Sequence, residues 1–274
     1  MKILVSTDIE GVAGVYHAEQ GRAGNGEYER ARRLMTAEAN AAIAGAFEAG
    51  ATEVLVNDAH GGFRNLLPDE IDPRAQVVQG KPRYLSMVAG VDEPGVAALC
   101  MVGYHSRGQG RGILAHTINS FAFARVFLNG QELGEMGIYG ALAGDYGVPV
   151  AMASGDDAFI EEHRPLFPQT RFVQTKRATG NTSGISLSPQ ASCAAIRAGV
   201  VEALGEGAKL PRPFKLAGPV AVRIQAQTPA LADLFCQWPT LRREAGDEVT
   251  FEAPTVEAAV RMINCLSAMS TLLR

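Results

Sequence analysis

The 274-residue sequence contains little cysteine, and its four cysteines lie far apart, at Cys100, Cys193, Cys236 and Cys265. No two of them form the C-x-x-C pair that is typical of zinc sites built from thiolates. Most of them lie in apolar sequence. We therefore expect buried, reduced thiols, and a metal site in this protein would need other ligands.

Dense basic segments and long apolar runs are also missing. Lys and Arg total 25 against 29 Asp and Glu, a net charge of −4, which argues against a surface that follows a phosphate backbone. We see no apolar run near the roughly 18 residues of a membrane span and no charged-then-apolar leader. The sequence predicts a cytoplasmic protein that binds neither nucleic acid nor membrane.

Apolar strand-like segments alternate with helix-like segments through most of the chain. Examples are KILVST, TEVLVND, VAALCMVGYH, ARVFLNG, PVAMASGDD and RFVQTK, with helices predicted between several of them. This alternation predicts an α/β fold with a mostly parallel sheet flanked by helices. A segment rich in Pro, Gly and Lys at 204–219 resembles a linker. We therefore predict an α/β core at 1–210 and a smaller α+β subdomain at 217–274.

Two carboxylates, Asp8 and Glu10, close the first apolar strand in the motif STDIEG. In extended backbone both side chains point to one face, while Ile9 points into the core. Like charges held this close cost free energy unless a positive charge joins them. The motif therefore indicates a cation site.

Four further residues of metal-ligand type follow apolar segments: His60 in VNDAHGG, His105 in MVGYHS, His116 in GILAHTI and Glu135 in LGEMG. Ligand sites of open parallel sheets lie beyond the carboxyl ends of the strands. Each residue alone has a structural alternative, such as a helix cap, a turn or a buried histidine of the core. Their convergence favours zinc, manganese or iron, which carboxylate and imidazole bind without thiolates.

Charge balance indicates how many ions such a site takes. Three carboxylates supply three negative charges, and two divalent ions with a bridging hydroxide bring the total close to neutral. A single ion would leave excess negative charge. Asp8, the carboxylate nearest the strand, is the expected bridging ligand.

Other polar positions have simpler interpretations. Asp58 either orients His60 or forms an Asx turn, and SGDD at 154–157 is predicted to cap the next helix. We expect His17 and His163 at the surface, and residues 11–26 to form either a mobile lid or a long surface loop.

Ten short motifs follow one another in the order seen in the DppA-type D-aminopeptidases: STDIEG, GEYER, LMTAEAN, EVLVNDAHGG, SMVAG, VGYHS, LAHT, LGEMG, AGDYGVPV and SGDD. The chain resembles that family from residue 1 to about residue 190 and little beyond. The resemblance implies a zinc-dependent aminopeptidase that releases D-amino acids from short peptides such as D-Ala-D-Ala. It also implies two zinc ions per chain and self-compartmentalising rings of ten subunits.

The resemblance also implies the roles of the site residues. The zinc ligands would be Asp8, Glu10, His60, His105 and Glu135, with His116 as the catalytic histidine. Glu132 lies close enough in sequence to compete with Glu135, whose assignment rests on GEMG. We expect one ion among Asp8, Glu10 and His105 and the other among Asp8, His60 and Glu135.

His116 is the nucleophile in accounts of the family, or else a base or a donor to the developing oxyanion. We favour the second role, because a di-metal-activated hydroxide already supplies the nucleophile. The C-terminal segment 256–273 is expected either to contact another subunit or to pack on its own core.

Two other function classes stay open. One is a different metal-dependent hydrolase, for another amide or a phosphoester, although clustered Arg and Lys are scarce near the motifs. The other is a non-enzymatic module that binds a metal or a small molecule. Such a module does not need an unligated histidine like His116 beside the metals.

Overall fold

A computed structural model describes all 274 residues, and its larger sheet, sheet A, has seven strands. Their spatial order is β3 (Gln76–Val78), β2 (Glu53–Asp58), β1 (Lys2–Thr7), β4 (Val96–Val102), β7 (Val150–Asp156), β8 (Arg171–Gly180) and β9 (Ser183–Ser186). All neighbours are parallel except β8 and β9, which form an antiparallel pair. The predicted mostly parallel α/β sheet is confirmed.

The second sheet, sheet B, is antiparallel. Its order is β11 (Arg242–Arg243), β12 (Glu248–Ala253), β10 (Val220–Ala226), β5 (Phe123–Leu128) and β6 (Gln131–Glu132). The expectation that β5 continues the parallel series was wrong. Asn129 and Gly130 both have positive φ and close a two-residue hairpin, which pairs β5 with β6 rather than leading to a parallel crossover.

Sheet B bears on the predicted division of the chain. Its strands β10, β11 and β12 come from the predicted subdomain at 217–274, whereas β5 and β6 come from within 1–210. The division stays a prediction. A unit built around sheet B would include these two strands from the earlier part of the chain.

Six α-helices cover the sheets: α1 (Gly26–Glu48), α2 (Glu135–Asp145), α3 (Asp157–His163), α4 (Pro189–Leu204), α5 (Pro229–Phe235) and α6 (Val256–Met269). Short 3₁₀ turns lie at 18–21, 86–88 and 270–273. Their ends follow local capping chemistry. Asp156 accepts a hydrogen bond from Phe159 N at 2.8 Å, so the predicted cap of α3 is confirmed.

Two hydrophobic cores lie on the opposite faces of sheet A. Ile3 and Val5 of β1 pack into the core that contains the buried faces of α1 and α4. Leu4, between them, points into the larger core, which contains α2 and the inner face of sheet B. This alternation buries β1 on both sides and fixes where its carboxyl end emerges.

The C-terminal segment Val256–Leu273 is long and apolar enough to cross a membrane by length and composition, which corrects the expectation that no such run exists. Five of its residues are buried in the larger core: Val256, Ala259, Val260, Ile263 and Leu266. Their spacing is that of one helix face. Packing on its own core therefore accounts for this face of the segment, whereas Leu272 and Leu273 at its end are exposed.

The cysteines are less buried than expected. Cys100 is buried, Cys193 and Cys236 are half-buried, and Cys265 is exposed on α6. All four thiols are free, as predicted for a reduced protein.

Candidate metal centre

The register of sheet A brings three chain segments to one edge. Thr7, the last residue of β1, pairs with Asp58 at the end of β2 and with Val102 at the end of β4. The residues that follow these strands therefore meet beyond the sheet. They include Asp8, His60 and His105.

The turn after β1 differs from the extended strand that we expected. The strand ends at Thr7, and the chain bends at the fully buried Ile9 into a turn that Val12 N closes by donating to Ile9 O at 3.2 Å. The two carboxylates converge on one imidazole all the same. His60 Nδ1 lies 3.2 Å from Asp8 Oδ1 and 3.0 Å from Glu10 Oε2.

Two glycines allow the loop after β1 to touch the loop after β4. A Cβ atom at Gly11 would clash with the carbonyl oxygen of Tyr104, and one at Gly103 would clash with that of Asp8. Gly103 also has a φ of +72°, which favours glycine. This close backbone approach places Asp8 beside His105, whose Nε2 lies 3.4 Å from Asp8 Oδ2.

Helix α2 contributes the third carboxylate at its first residue, Glu135. Its Oε2 lies 3.4 Å from His105 Nε2, and its Oε1 lies 3.7 Å from His116 Nε2. All six predicted site residues therefore belong to one connected group, which we call the acidic cluster: Asp8, Glu10, His60, His105, His116 and Glu135.

Contacts within the acidic cluster show which ligand atoms lie together. Those of Asp8, Glu10 and His105 lie within 4.8 Å of one another, as do those of His105, His116 and Glu135. The first group matches one of the two sets predicted from the sequence. The second predicted set joined His60 to Glu135, but Glu135 contacts the other two histidines, and His60 contacts Asp8 and Glu10.

The loop that carries His116 is strained on both sides. Leu114 has a φ of +55° and Ile118 a φ of +63°, a region that a β-branched residue rarely adopts. In this conformation Ile118 N donates a 2.6 Å hydrogen bond to Glu135 Oε1. The role of Ile118 could not be predicted, since nothing in the sequence LAHTI indicates a positive φ.

The imidazole of His116 is held by two contacts. Its Nδ1 lies 2.9 Å from Leu114 O, and its ring stacks on His105 with centroids 4.2 Å apart and an interplanar angle of 11°. An Nδ1–H that donates to this carbonyl leaves Nε2 free. The His116 side chain is 20% exposed against 1% for His105, so of the two it is His116 that solvent reaches.

No Lys or Arg forms an ion pair with the three carboxylates of the acidic cluster; their only ion-pair partners are imidazoles. All three carboxylates are buried. In addition, His105 Nε2 is buried and makes no hydrogen bond of adequate geometry. Buried charges and orphaned polar atoms are costly without a partner, so the cluster fits an added cation.

The pKa values within the cluster follow from burial and mutual charge. Burial raises the pKa of Asp8, and the charge of Glu10 raises it further. Burial alone would raise the pKa of Glu10, but the charge and hydrogen bond of His60, together with the charges of His116 and His105, hold that pKa well below its usual range.

The imidazoles respond in the opposite sense. Burial alone would lower the pKa of His60 and His105, but the carboxylates of Glu10 and Glu135 raise both well above the ordinary value. The carboxylates therefore draw protons onto the rings, and divalent metal binding at the same atoms would displace them. Carboxylate and imidazole donors without thiolate suit zinc.

Glu132, the sequence competitor of Glu135, lies outside the acidic cluster. Its Oε1 contacts Arg107 Nε at 3.2 Å and Arg125 Nε at 3.6 Å. Arg107 also binds Glu162 at 2.9 Å, whose Oε1 lies 3.4 Å from His163 Nε2. We call Arg107, Glu132, Glu162 and His163 the arginine cluster.

The structure decides three smaller predictions. His163 is fully buried, not on the surface as expected, because α3 packs it beside Phe159, whose carbonyl lies 2.8 Å from Nδ1. His17 is exposed and caps the 3₁₀ turn at 18–21. Asp58 neither contacts the His60 ring nor forms an Asx turn; its carboxylate accepts from Asn65 N and, at 2.7 Å, from Leu66 N, and so holds the segment that follows His60.

Lys176 is a second residue near the site whose role the sequence did not predict. It lies in β8, is buried, and donates hydrogen bonds to the carbonyl oxygens of Glu10 and Val15. Its position in the strand motif RFVQTK, at the same edge of sheet A as the predicted ligands, was the available signal. Burial lowers the pKa of Lys176 to about 8.

Comparisons with known proteins point to one family. The family model described as D-aminopeptidase matches residues 1–265. The D-aminopeptidase of Bacillus subtilis (strain 168) is 37% identical over 189 residues, which is 69% of this chain and 68% of that protein. The solved Zn-dependent D-aminopeptidase DppA from Bacillus subtilis, a self-compartmentalizing protease, has a TM-score of 0.94 and 29% identity, with 99% of this chain and 98% of that chain covered.

Proposed function

Because the chain belongs to the D-aminopeptidase family, we propose that it is a zinc-dependent aminopeptidase that releases D-amino acids from the N-terminus of short peptides. One observation on this chain's own residues supports the proposal. Three buried carboxylates converge at the carboxyl edge of sheet A, and their only ion-pair partners are histidines.

Asp8 is the proposed bridging ligand of two zinc ions. Its two oxygens face different imidazoles, since Oδ1 lies 3.2 Å from His60 Nδ1 and Oδ2 lies 3.4 Å from His105 Nε2. Glu10 contacts the first imidazole and Glu135 the second. We therefore assign one ion to Asp8, Glu10 and His60, and the other to Asp8, His105 and Glu135, which replaces the division predicted from the sequence.

Zinc ions held by these ligands would polarise the peptide carbonyl and lower the pKa of a water molecule, so that it can attack the carbonyl. The protein contributes proton transfer. His116 presents a free Nε2 beside Glu135, and this nitrogen can accept a proton and return it to the leaving amine. Stacking on His105 and the bond to Leu114 O fix the ring in this orientation.

Two further properties belong to the proposal. The self-compartmentalizing character of the DppA structure supports assembly of this chain into a homo-oligomer, and we propose a decamer. Exposed apolar side chains are available for such contacts, among them Ile185, Leu187, Leu272 and Leu273. We also propose a soluble, cytoplasmic protein, which is supported by the packing of the apolar C-terminal segment into the core.

The proposal is tested by metal analysis together with a substrate screen. Purified protein reconstituted with zinc is assayed on D-Ala-D-Ala, L-Ala-L-Ala and the matching aminoacyl amides. We expect hydrolysis of the D-substrates, loss of activity on chelation and recovery with zinc. Glu132→Gln, which changes a carboxylate of the arginine cluster, is the matched control and should keep its activity. Hydrolysis of L-substrates alone, or full activity without metal, would contradict the proposal.

A further inference from the structure

The loop that follows the first ligands, residues 10–15, is held by side chains from distant parts of the chain; we call it the ligand loop. Lys176 Nζ donates to Val15 O at 2.6 Å and also to Glu10 O, so one side chain joins both ends of the loop. Its neighbour Thr175 donates to Gly11 O at 2.8 Å. The loop is therefore tied to β8.

The middle of the ligand loop is held from other elements. Glu38 Oε1, on α1, accepts from Ala13 N at 3.0 Å, and Ser186 Oγ, at the end of β9, accepts from Gly14 N at 2.9 Å. Every residue of the loop except Val12 thus has a backbone group bound to a side chain outside it. The sequence predicted a mobile lid or a long surface loop at 11–26, and the structure anchors the first part of that range, residues 11–15, on several sides.

Lys176 is unusual among these anchors because it carries a charge. Its side chain is buried, and it forms no ion pair with any carboxylate; its hydrogen-bond partners are two carbonyl oxygens. Burying an unpaired ammonium group costs free energy, which a methionine of similar shape would avoid. Burying Lys176 therefore lowers the stability of the fold. The hydrogen bonds of its side chain are both to the ligand loop.

We propose that Lys176 is a positioning residue of the metal centre, which closes the ligand loop and holds the carboxylate of Glu10 against His60. This inference rests on the proposed function, because it takes Glu10 as a zinc ligand. Groups that support a metal ligand from outside typically change metal affinity by roughly 10–100-fold when they are removed.

The sign of the effect separates positioning from simple electrostatics. A positive charge near the acidic cluster repels zinc, so a lysine that acted through its charge alone would weaken zinc binding. Its removal would then raise zinc affinity. If Lys176 acts by holding the loop, its removal lowers zinc affinity instead.

The test measures zinc affinity by competition with a chromophoric chelator, starting from zinc-free protein. We expect Lys176→Met to lower the affinity for one of the two zinc ions by about 10–100-fold. Lys176→Arg, which keeps the charge and the donors, should restore that affinity. Thr170→Val is the matched control, because it removes a buried 2.6 Å bond to Val150 O away from the loop and should leave affinity unchanged. Unchanged or raised affinity in folded Lys176→Met overturns the inference.

A second measurement does not depend on zinc. Hydrogen exchange of the peptide that covers residues 10–16 should be faster in zinc-free Lys176→Met than in the wild type, and unchanged in Thr170→Val. If the wild type binds no zinc, the proposed function fails, and exchange alone decides whether Lys176 holds the loop. Should Lys176→Met not fold, Lys176→Gln replaces it. Equal exchange in the folded variant and the wild type overturns the inference.

Discussion

The acidic cluster and the arginine cluster lie next to each other and are built from similar residues. His105 of the first is only two positions from Arg107 of the second, and each cluster contains carboxylates and buried imidazole. They differ in positive charge. Arg107 contacts Glu132 at 3.2 Å and Glu162 at 2.9 Å, whereas no Lys or Arg pairs with a carboxylate of the acidic cluster.

The pKa values of the buried histidines differ between the two clusters. Burial lowers the pKa of His163, in the arginine cluster, to about 4. Burial acts on His105 as well, but the charges and hydrogen bonds of Glu135, Asp8 and Glu10 together raise the pKa of His105 well above its ordinary value. The charges of His105 and Arg107 also lower the pKa of His163, so this imidazole stays neutral. The carboxylates of the acidic cluster have no permanent side-chain cation as an ion-pair partner. The absence of such a cation leaves the acidic cluster with negative charge that only protons or metal ions can balance.

Asp8→Ala should have the largest effect, because it removes the carboxylate whose two oxygens face both halves of the acidic cluster. We expect loss of both zinc ions and of turnover. Glu162→Ala, in the arginine cluster, should keep both ions. Metal analysis after gel filtration makes the comparison. An Asp8→Ala protein that keeps both ions would show that the ions are held elsewhere.

His116→Ala should have the next largest effect. We expect turnover to fall by roughly two to four orders of magnitude, the usual range for removal of a general acid or base, with zinc content unchanged. The ligand atoms of His116, His105 and Glu135 lie within 4.8 Å of one another, so a role as a ligand is the competing account. Loss of zinc from His116→Ala would favour that account.

The histidines of the two clusters should give opposite pH dependence in zinc-free protein. His163 has a folded pKa of about 4, below its ordinary value of 6.5, so the unfolded chain binds its proton first and stability falls from pH 6.5 to about 4. The loss is about 3 kcal/mol. For His60 and His105 the folded pKa is raised, so their contribution is present below pH 6.5 and is lost as pH rises through the folded pKa.

Urea unfolding of the wild type and His163→Gln checks this prediction between pH 4 and 7. The stability difference between the two proteins should grow as pH rises to about 6.5 and then level off. A difference that is independent of pH would mean that His163 does not stay neutral in the folded protein.

Arg107→Met should give the smallest effect, because it removes the cation that distinguishes the arginine cluster. Glu162 is largely buried and would lose a charged hydrogen bond, which costs about 1–3 kcal/mol of unfolding free energy. Arg111→Met, which removes an exposed pair with Glu161, is the control and should change stability by less than about 0.5 kcal/mol. Equal changes in urea unfolding of the two variants would show that Arg107 does not stabilise the cluster.

Sequence alone predicted the parts of the site that depend on strand ends. Asp8, His60 and His105 each follow an apolar strand, and parallel neighbours end at one edge, so their convergence could be inferred. The place of Glu135 came from the motif GEMG. Which oxygen faces which imidazole depends on loop geometry. The predicted set of Asp8, Glu10 and His105 therefore lies together, whereas the predicted set that joins His60 to Glu135 does not.

Long-range pairing limited the other predictions. The apolar pattern of β5 indicates a strand but not its partner, and the hairpin at Asn129 and Gly130 places it in sheet B. The burial of His163 depends on how α3 packs, which its neighbours in sequence do not show. Lys176 contacts Val15 of the ligand loop, which is 161 positions away in the sequence, and no local motif predicts that contact.

Zinc stoichiometry tests the central claim most directly, namely that the acidic cluster is built for added cations and the arginine cluster is not. Zinc-free wild type and Glu132→Gln are titrated with zinc by calorimetry, and bound metal is counted after gel filtration. The account predicts two zinc ions per chain in both proteins. Fewer than one ion per chain in the wild type, or loss of zinc in Glu132→Gln alone, would contradict it.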